Sequence, residues 1–237
     1  MANIYLLRHG KVSGEAALYG HTDVDVAPDV NALIVKQLVA MNLEVNSVIT
    51  SPLKRCFNLA ELLSHESKSS ITSLEPLKEI NFGLYDGVPF DELHQDKNIW
   101  QSLERFWQNP VQHPLPKAEL LTGFSFRVIN AWQMIIDKVM LEPLNQNIIV
   151  VCHGGVIRMI LAHLLNIDFR NPLWYTNLSI ANGSLTSIEI KNKQTRVKQI
   201  AKPLLELDNS AVHFNSTSEF PYCLLEQSQG THLKDVT

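Results

Sequence analysis

The sequence predicts an α/β fold, a mostly parallel sheet with an antiparallel edge and an inserted lobe over one end. Two observations predict it. Short runs of β-branched and large apolar residues alternate with segments whose apolar residues recur at helical spacing, and strand–helix–strand order makes parallel pairing the default. Two of those runs end in histidine and glycine: Ile4-Tyr5-Leu6-Leu7-Arg8-His9-Gly10 and Ile148-Ile149-Val150-Val151-Cys152-His153-Gly154-Gly155. Open α/β sheets bind ligands at the carboxyl ends of their strands, so both histidines fall where a site would form.

The elements run in this order. Ile4 to Leu7 is a buried strand, and Gly10 allows a sharp turn or a close ligand approach. Lys11 to Pro28 is a polar loop around Tyr19-Gly20-His21-Thr22-Asp23. A helix over about 29–42 presents Val30, Leu33, Ile34, Val35, Leu38 and Met41. Ser47 to Thr50 is a short strand, and Ser51-Pro52 breaks it before a helix beginning Leu53-Lys54-Arg55, with Leu59, Leu62 and Leu63 inside. Arg55 thus lies in the first turn of a helix, just past a strand end. From Leu74 the pattern becomes an ordered loop through Gly83 and Gly87. A helix over about 90–108 carries Leu93, Trp100, Leu103 and Trp107, and Pro110, Pro114 and Pro116 impose an extended connection. A long amphipathic helix over 124–141 has Asn130 and Asp137 among many apolar residues and is expected to be well buried. A helix over about 156–165 comes after His153. Residues 185–190 and 196–200 flank Asn192-Lys193 and predict a hairpin at an edge. The expected organisation is one domain over 1–207, with 74–122 inserted over the site. The tail, 208–237, is expected to be loosely ordered or draped on the surface.

With 45% hydrophobic and 19% charged residues, the 237-residue chain has the make-up of a globular protein. A net charge of −4 argues against a nucleic-acid surface. Cys56, Cys152 and Cys223 are scattered and odd in number, which fits a reduced, cytoplasmic protein. No basic-then-apolar leader is visible, and no apolar run approaches the roughly 20 residues needed to span a bilayer. Neither a nucleic acid nor a membrane is expected as a partner; a homodimer stays open.

Arg8, His9, Arg55, His153 and Glu79 collect at one sheet edge in this reading. Guanidinium forks and helix N-termini together suit a compact dianion such as a phosphoryl group. No Walker loop and no paired-aspartate metal cradle is present, so the protein must supply the positive charge itself. Histidine is an established covalent nucleophile, and His9, fixed between Arg8 and Gly10, is the better candidate. Nearby cations lower its pKa and keep the ring neutral. His153 would hydrogen-bond the transferring oxygens. Glu79, in a tight loop among apolar neighbours, is the best-placed carboxyl to protonate the leaving alkoxide and later activate water, with Asp86 and Glu119 as nearby alternatives.

Leu7-Arg8-His9-Gly10, Ser51-Pro52-Leu53-Lys54-Arg55, Leu77-Lys78-Glu79-Ile80-Asn81-Phe82-Gly83 and His153-Gly154 together resemble the histidine phosphatase (phosphoglycerate mutase-like) superfamily over about residues 1–200. The loops at Tyr19–Asp23 and Phe82–Gly87 resemble its α-ribazole 5′-phosphate phosphatase branch, which acts in cobalamin biosynthesis. The resemblance implies a three-layer α/β/α sandwich. It implies His9 as phosphoacceptor, Arg8, Arg55, His153 and Gly154 as the phosphate pocket, Glu79 as proton donor, and no metal or other cofactor. His21 and Glu119 are candidate substrate contacts. Lys11 stands where the family commonly has an acidic residue, and Ala118-Glu119-Leu120 where Gly-Glu-Ser is usual.

The expected activity is therefore a metal-independent phosphomonoesterase acting on a small phosphorylated metabolite. The alternatives are a phosphoglycerate mutase, a phosphate-ligand binder without turnover, and, least favoured, a metal hydrolase using His9 and His153. The remaining histidines and the tryptophans read as surface or packing residues, and Cys152 as a small apolar strand residue.

Overall fold

The computed structural model describes residues 1–141, 146–192 and 194–205. Its central strand, β1 (Ala2–Arg8), has Ile4, Leu6 and Leu7 fully buried on both faces, as an apolar run without alternation requires. β1 pairs in parallel with β4 (Gln146–Cys152), with Arg8 opposite Cys152, so the next residue of each strand is a histidine beside a histidine. β2 (Ser47–Thr50) lies parallel on the far side of β4, and β3 (Ser70–Ser73) parallel on β2. On the other flank β5 (Ser184–Lys191) runs antiparallel to β1, and β6 (Gln194–Pro203) antiparallel to β5. The order is β3-β2-β4-β1-β5-β6, a mostly parallel sheet with the predicted antiparallel edge.

Helices cover both faces. α1 (Pro28–Ala40) and α2 (Lys54–Ser67) bury Ile34, Leu38, Leu59 and Leu63 against Leu7, Val48, Ile149 and Val151. On the opposite face α5 (Leu121–Leu141) and α6 (Gly154–Leu164) pack Phe124, Val128, Trp132, Val156 and Ile160 against Ile4, Leu6 and Val150. α3 (Phe90–Leu93), α4 (Lys97–Gln108) and α7 (Leu173–Asn177) are shorter. Leu77, Phe82, Leu103, Phe106, Leu115 and Leu121, from the irregular segment, enter the same apolar cluster as α5 and α6. Among the described residues no helix is long and apolar enough to cross a membrane.

Several elements differ from their sequence signals. β3 has no such signal, because Ser-Ile-Thr-Ser is exposed throughout and pairs along one edge only. The single helix expected over 90–108 is two, α3 and α4. The chain breaks between them because the Asp96 carboxylate accepts the Asn98 and Ile99 N–H groups and caps α4 afresh. α5 is amphipathic, as expected, but not well buried. Asn130 and Asp137 are exposed, and so are Phe126 and Met134, since the helix buries one face, which carries Phe124, Val128, Ala131, Trp132 and Ile135. Leu33 and Leu62 likewise point outward. α7 carries no periodic signal. α6 begins at Gly154, directly after His153, two residues earlier than expected. The hairpin is longer than its signal, and Asn192 takes the left-handed conformation at its turn. The tail from 208, Cys223 included, lies outside the described residues.

Candidate active site

The site forms where β1 and β4 end. The His9 N–H donates to Cys152 O at 3.1 Å, extending the ladder one residue, while the Gly183 N–H donates to His9 O at 3.0 Å. His9 Nδ1 lies 2.7 Å from Gly10 O, and a carbonyl only accepts, so Nδ1 carries the proton and Nε2 keeps its lone pair. Burial lowers the His9 pKa, and the Arg55 and Arg8 guanidiniums lower it further. The ring is therefore neutral. Gly10 serves packing rather than the expected turn: a Cβ there would meet Val30 and Val26 at 2.8 and 2.9 Å, so glycine lets α1 close on the strand end.

His153 is placed differently. Its ring is edge-on to His9, with centroids 5.2 Å apart, but it is wholly buried and does not line the cavity. Arg55 Nε donates to His153 Nδ1 at 3.2 Å, which puts the proton on Nε2, where it reaches Ser51 Oγ at 2.8 Å. Burial, then Arg55, pulls the His153 pKa down as well. The Cys56 Sγ is 3.5 Å from Nε2, and burial pushes that thiol well above its ordinary range, which keeps it protonated. Arg55, 1% exposed, also donates to Thr22 O, Tyr19 O and Gly20 O, so four of the five guanidinium N–H groups are already engaged. Arg8 donates to Ile180 O. Burial lowers its pKa, and Arg158 and Arg55 add to the effect against the opposing Glu79. An incoming anion would relieve that crowding of cations.

Glu79 enters from the loop opposite. Its Oε2 accepts the Gly155 N–H at 2.9 Å, at the N-terminus of α6, and Oε1 accepts its neighbour Ile80 N–H. A Cβ on Gly155 would sit 2.2 Å from Glu79 Oε1, so this carboxylate can approach the helix only because residue 155 is glycine. At Gly154 the nearest atoms to such a Cβ are Arg8 and Arg158, at 3.5 Å or more. The loop is held from behind by Arg127, whose five N–H groups go to Pro76 O, Lys78 O, Glu79 O and both oxygens of Glu119. Asp86 accepts the N–H groups of Gly20, His21, Thr22 and Phe82, which locks the Tyr19–Asp23 loop to the Glu79 loop.

These groups surround a cavity of about 220 Å³. Of the expected site residues, Arg8, His9, Arg55, Glu79 and Gly154 line it, whereas His153, His21 and Glu119 do not. Glu119 instead forms a 2.7 Å ion pair with Arg127, and exposed His21 has its Nδ1 3.4 Å from Asn81 Nδ2 at the rim. Sequence reasoning missed Gly155, Arg158 and Asn182, which line the cavity, and Arg127 behind it. Arg158 is legible as one helical turn beyond Gly154. Arg127 has no signal, because three of its five hydrogen bonds go to carbonyls of a loop some 50 residues away. Among the described residues no cluster of three or more His, Cys, Asp or Glu could hold a metal ion.

A neutral histidine with a free ring nitrogen, arginines beside it and a carboxylate across from it, at the strand ends of an α/β/α sandwich, define a phosphoryl-transfer protein of the histidine phosphatase class. The model of the histidine phosphatase superfamily (branch 1) matches residues 4–203, and the chain belongs to that superfamily and is a phosphatase. It is 27% identical over 214 residues to "Putative phosphoserine phosphatase 2" of Hydrogenobacter thermophilus, covering 85% of this chain and 96% of the relative. Among solved structures it resembles Bacillus stearothermophilus YhfR, with a TM-score of 0.74, 22% identity, and coverage of 85% of this chain and 98% of that one. It also resembles the α-ribazole phosphatase of Shigella flexneri, with a TM-score of 0.69, 20% identity, and coverage of 87% and 100%. Both likenesses establish the shared fold.

Proposed function

We propose that this phosphatase hydrolyses a small phosphorylated metabolite through a phosphohistidine at His9, without a metal. The observation that carries the reading is the tautomer of His9: Nδ1–H is tied to Gly10 O, which leaves Nε2 unprotonated in a cavity shared with Arg8, Arg55 and Glu79. Nε2 attacks phosphorus, and the bond from phosphorus to the alcohol oxygen breaks. Glu79, as the carboxylic acid, gives that oxygen its proton. In the second half the Glu79 carboxylate takes a proton from a water that attacks phosphorus, which frees His9 and inorganic phosphate. Arg8, the cavity-facing part of Arg55 and the N-terminus of α6 stabilise the charge on the transferring oxygens. His153 acts through Arg55 rather than on substrate, since both its nitrogens are engaged away from the cavity. Glu119 and Arg127 hold the Glu79 loop, and His21 sits at the rim.

The Tyr19–Asp23 and Phe82–Gly87 loops, with their resemblance to the α-ribazole 5′-phosphate phosphatase branch, put that ester first among candidate substrates. The test is phosphate release from a panel holding α-ribazole 5′-phosphate, phosphoserine and 3-phosphoglycerate, with EDTA present. An acid-labile phosphoenzyme should be trapped on quenching and map to His9. Isomerisation of 3-phosphoglycerate without net release would favour a mutase instead. Absence of release from every ester would end the reading.

A further inference from the structure

The cavity is divided by chemistry. Three buried arginines line it, and two of them, Arg8 and Arg158, approach the same point beside Gly154. An apolar wall is made by Leu18, Phe82, Phe106, Leu121, Phe124 and Met159, all buried and all part of the main apolar core. That wall is braced. Phe82 and Phe106 meet edge-to-face with centroids 6.1 Å apart, and the Arg127 guanidinium lies 4.8 Å from the Phe124 ring. Apart from these arginines, the one cation lining the cavity among the described residues is exposed Lys11, which shares its loop with exposed Glu15.

We propose, resting on the phosphatase reading above, that the site selects monoesters whose alcohol is uncharged and presents an apolar ring, and discriminates against alcohols that carry a carboxylate. A phosphoryl group seated at His9 forces the rest of the ester outward against the Phe82–Phe106–Phe124 wall. An apolar ring there loses water and gains contacts in a preformed surface. A carboxylate within a few bonds of the phosphorus would be stripped of water there, and the wall offers it no partner in return. Because the wall belongs to the core, it cannot turn away to let solvent reach that charge.

The experiment compares kcat/KM for benzyl phosphate and 2-phenylethyl phosphate with phosphoserine and 3-phosphoglycerate. All four release an aliphatic alkoxide, so leaving-group acidity does not drive the difference. The expected result is at least a tenfold preference for the apolar pair, carried mainly by KM. Equal values, or a preference for the carboxylates, would overturn the proposal while leaving the phosphatase reading intact. Failure to release phosphate from all four and from 4-nitrophenyl phosphate would sink both. A second measurement uses Leu121→Arg, which places a cation in the wall. Its benzyl-to-phosphoserine ratio should fall at least tenfold, and an unchanged ratio in a folded variant overturns the assignment of the wall. If that variant does not fold, the wild-type ratios decide.

Discussion

His9 and His153 end neighbouring parallel strands, each comes after an apolar run, and each precedes glycine, yet the fold uses them differently. At the end of β1 the imidazole donates its Nδ1 proton to a carbonyl, and the residue lines the cavity. At the end of β4 the imidazole is fully buried, with one nitrogen accepting from Arg55 and the other donating to Ser51. The difference lies in the segment that each strand leads into. After Gly10 the chain enters a long loop that lines the cavity. After His153 it enters α6 at once, so the N-terminus of that helix, rather than the ring, faces the pocket. On the proposed mechanism, identical local grammar thus delivers a reactive group in one place and a brace for an arginine in the other.

The largest expected effect is on the reactive side. His9→Asn should lower phosphate release by about 10⁴-fold or more and abolish the trapped phosphoenzyme, because a covalent route is lost outright. Residual turnover within tenfold of wild type, read in a phosphate-release assay, would break the contrast.

The two glycines after His153 come next. Gly155→Ala drives a methyl group into Glu79 and should reduce kcat about 10²-fold for alkyl esters. Esters with acidic leaving groups, such as 4-nitrophenyl phosphate, need no proton and should suffer far less. Gly154→Ala meets only ordinary contacts and should stay within a few-fold of wild type. The reverse ranking would place the proton donor elsewhere.

His153→Asn should act mainly on structure. It leaves Arg55 Nε and Ser51 Oγ without their buried partner, a loss of about 2 kcal/mol in stability by denaturant unfolding. Phosphoenzyme should still form on His9. If His153→Asn abolishes labelling without loss of stability, its ring touches substrate after all. Arg127→Met, which frees the Glu79 loop, should lower kcat by roughly tenfold with KM little changed, as expected of a residue that positions an acid.

The smallest effect is in pH. Both rings have folded-state pKa values below the ordinary 6.5, so below about pH 6.5 the unfolded chain binds more protons than the native one. Stability is therefore level above that point and falls as pH drops below it, by up to about 1.4 kcal/mol per pH unit for each histidine. Unfolding of the His153→Asn variant as a function of pH should show a shallower acid limb than wild type. An unchanged limb would mean that His153 is not held neutral.

The sequence by itself determined the apolar strands, the order in which helices alternate with them, and the candidates for the reactive side chains. Each of these is written locally, in an apolar run, a helical period or an Arg-His-Gly at a strand end. It could not show that Ser70–Ser73 extends the sheet, because an exposed edge strand carries no buried pattern. Nor could it rank Gly155 against Gly154 or show Glu119 as a partner of Arg127. Those assignments depend on which groups from distant segments approach within a few ångströms. Only packing decides that, because burial and hydrogen-bond geometry belong to pairs of residues and not to residue types.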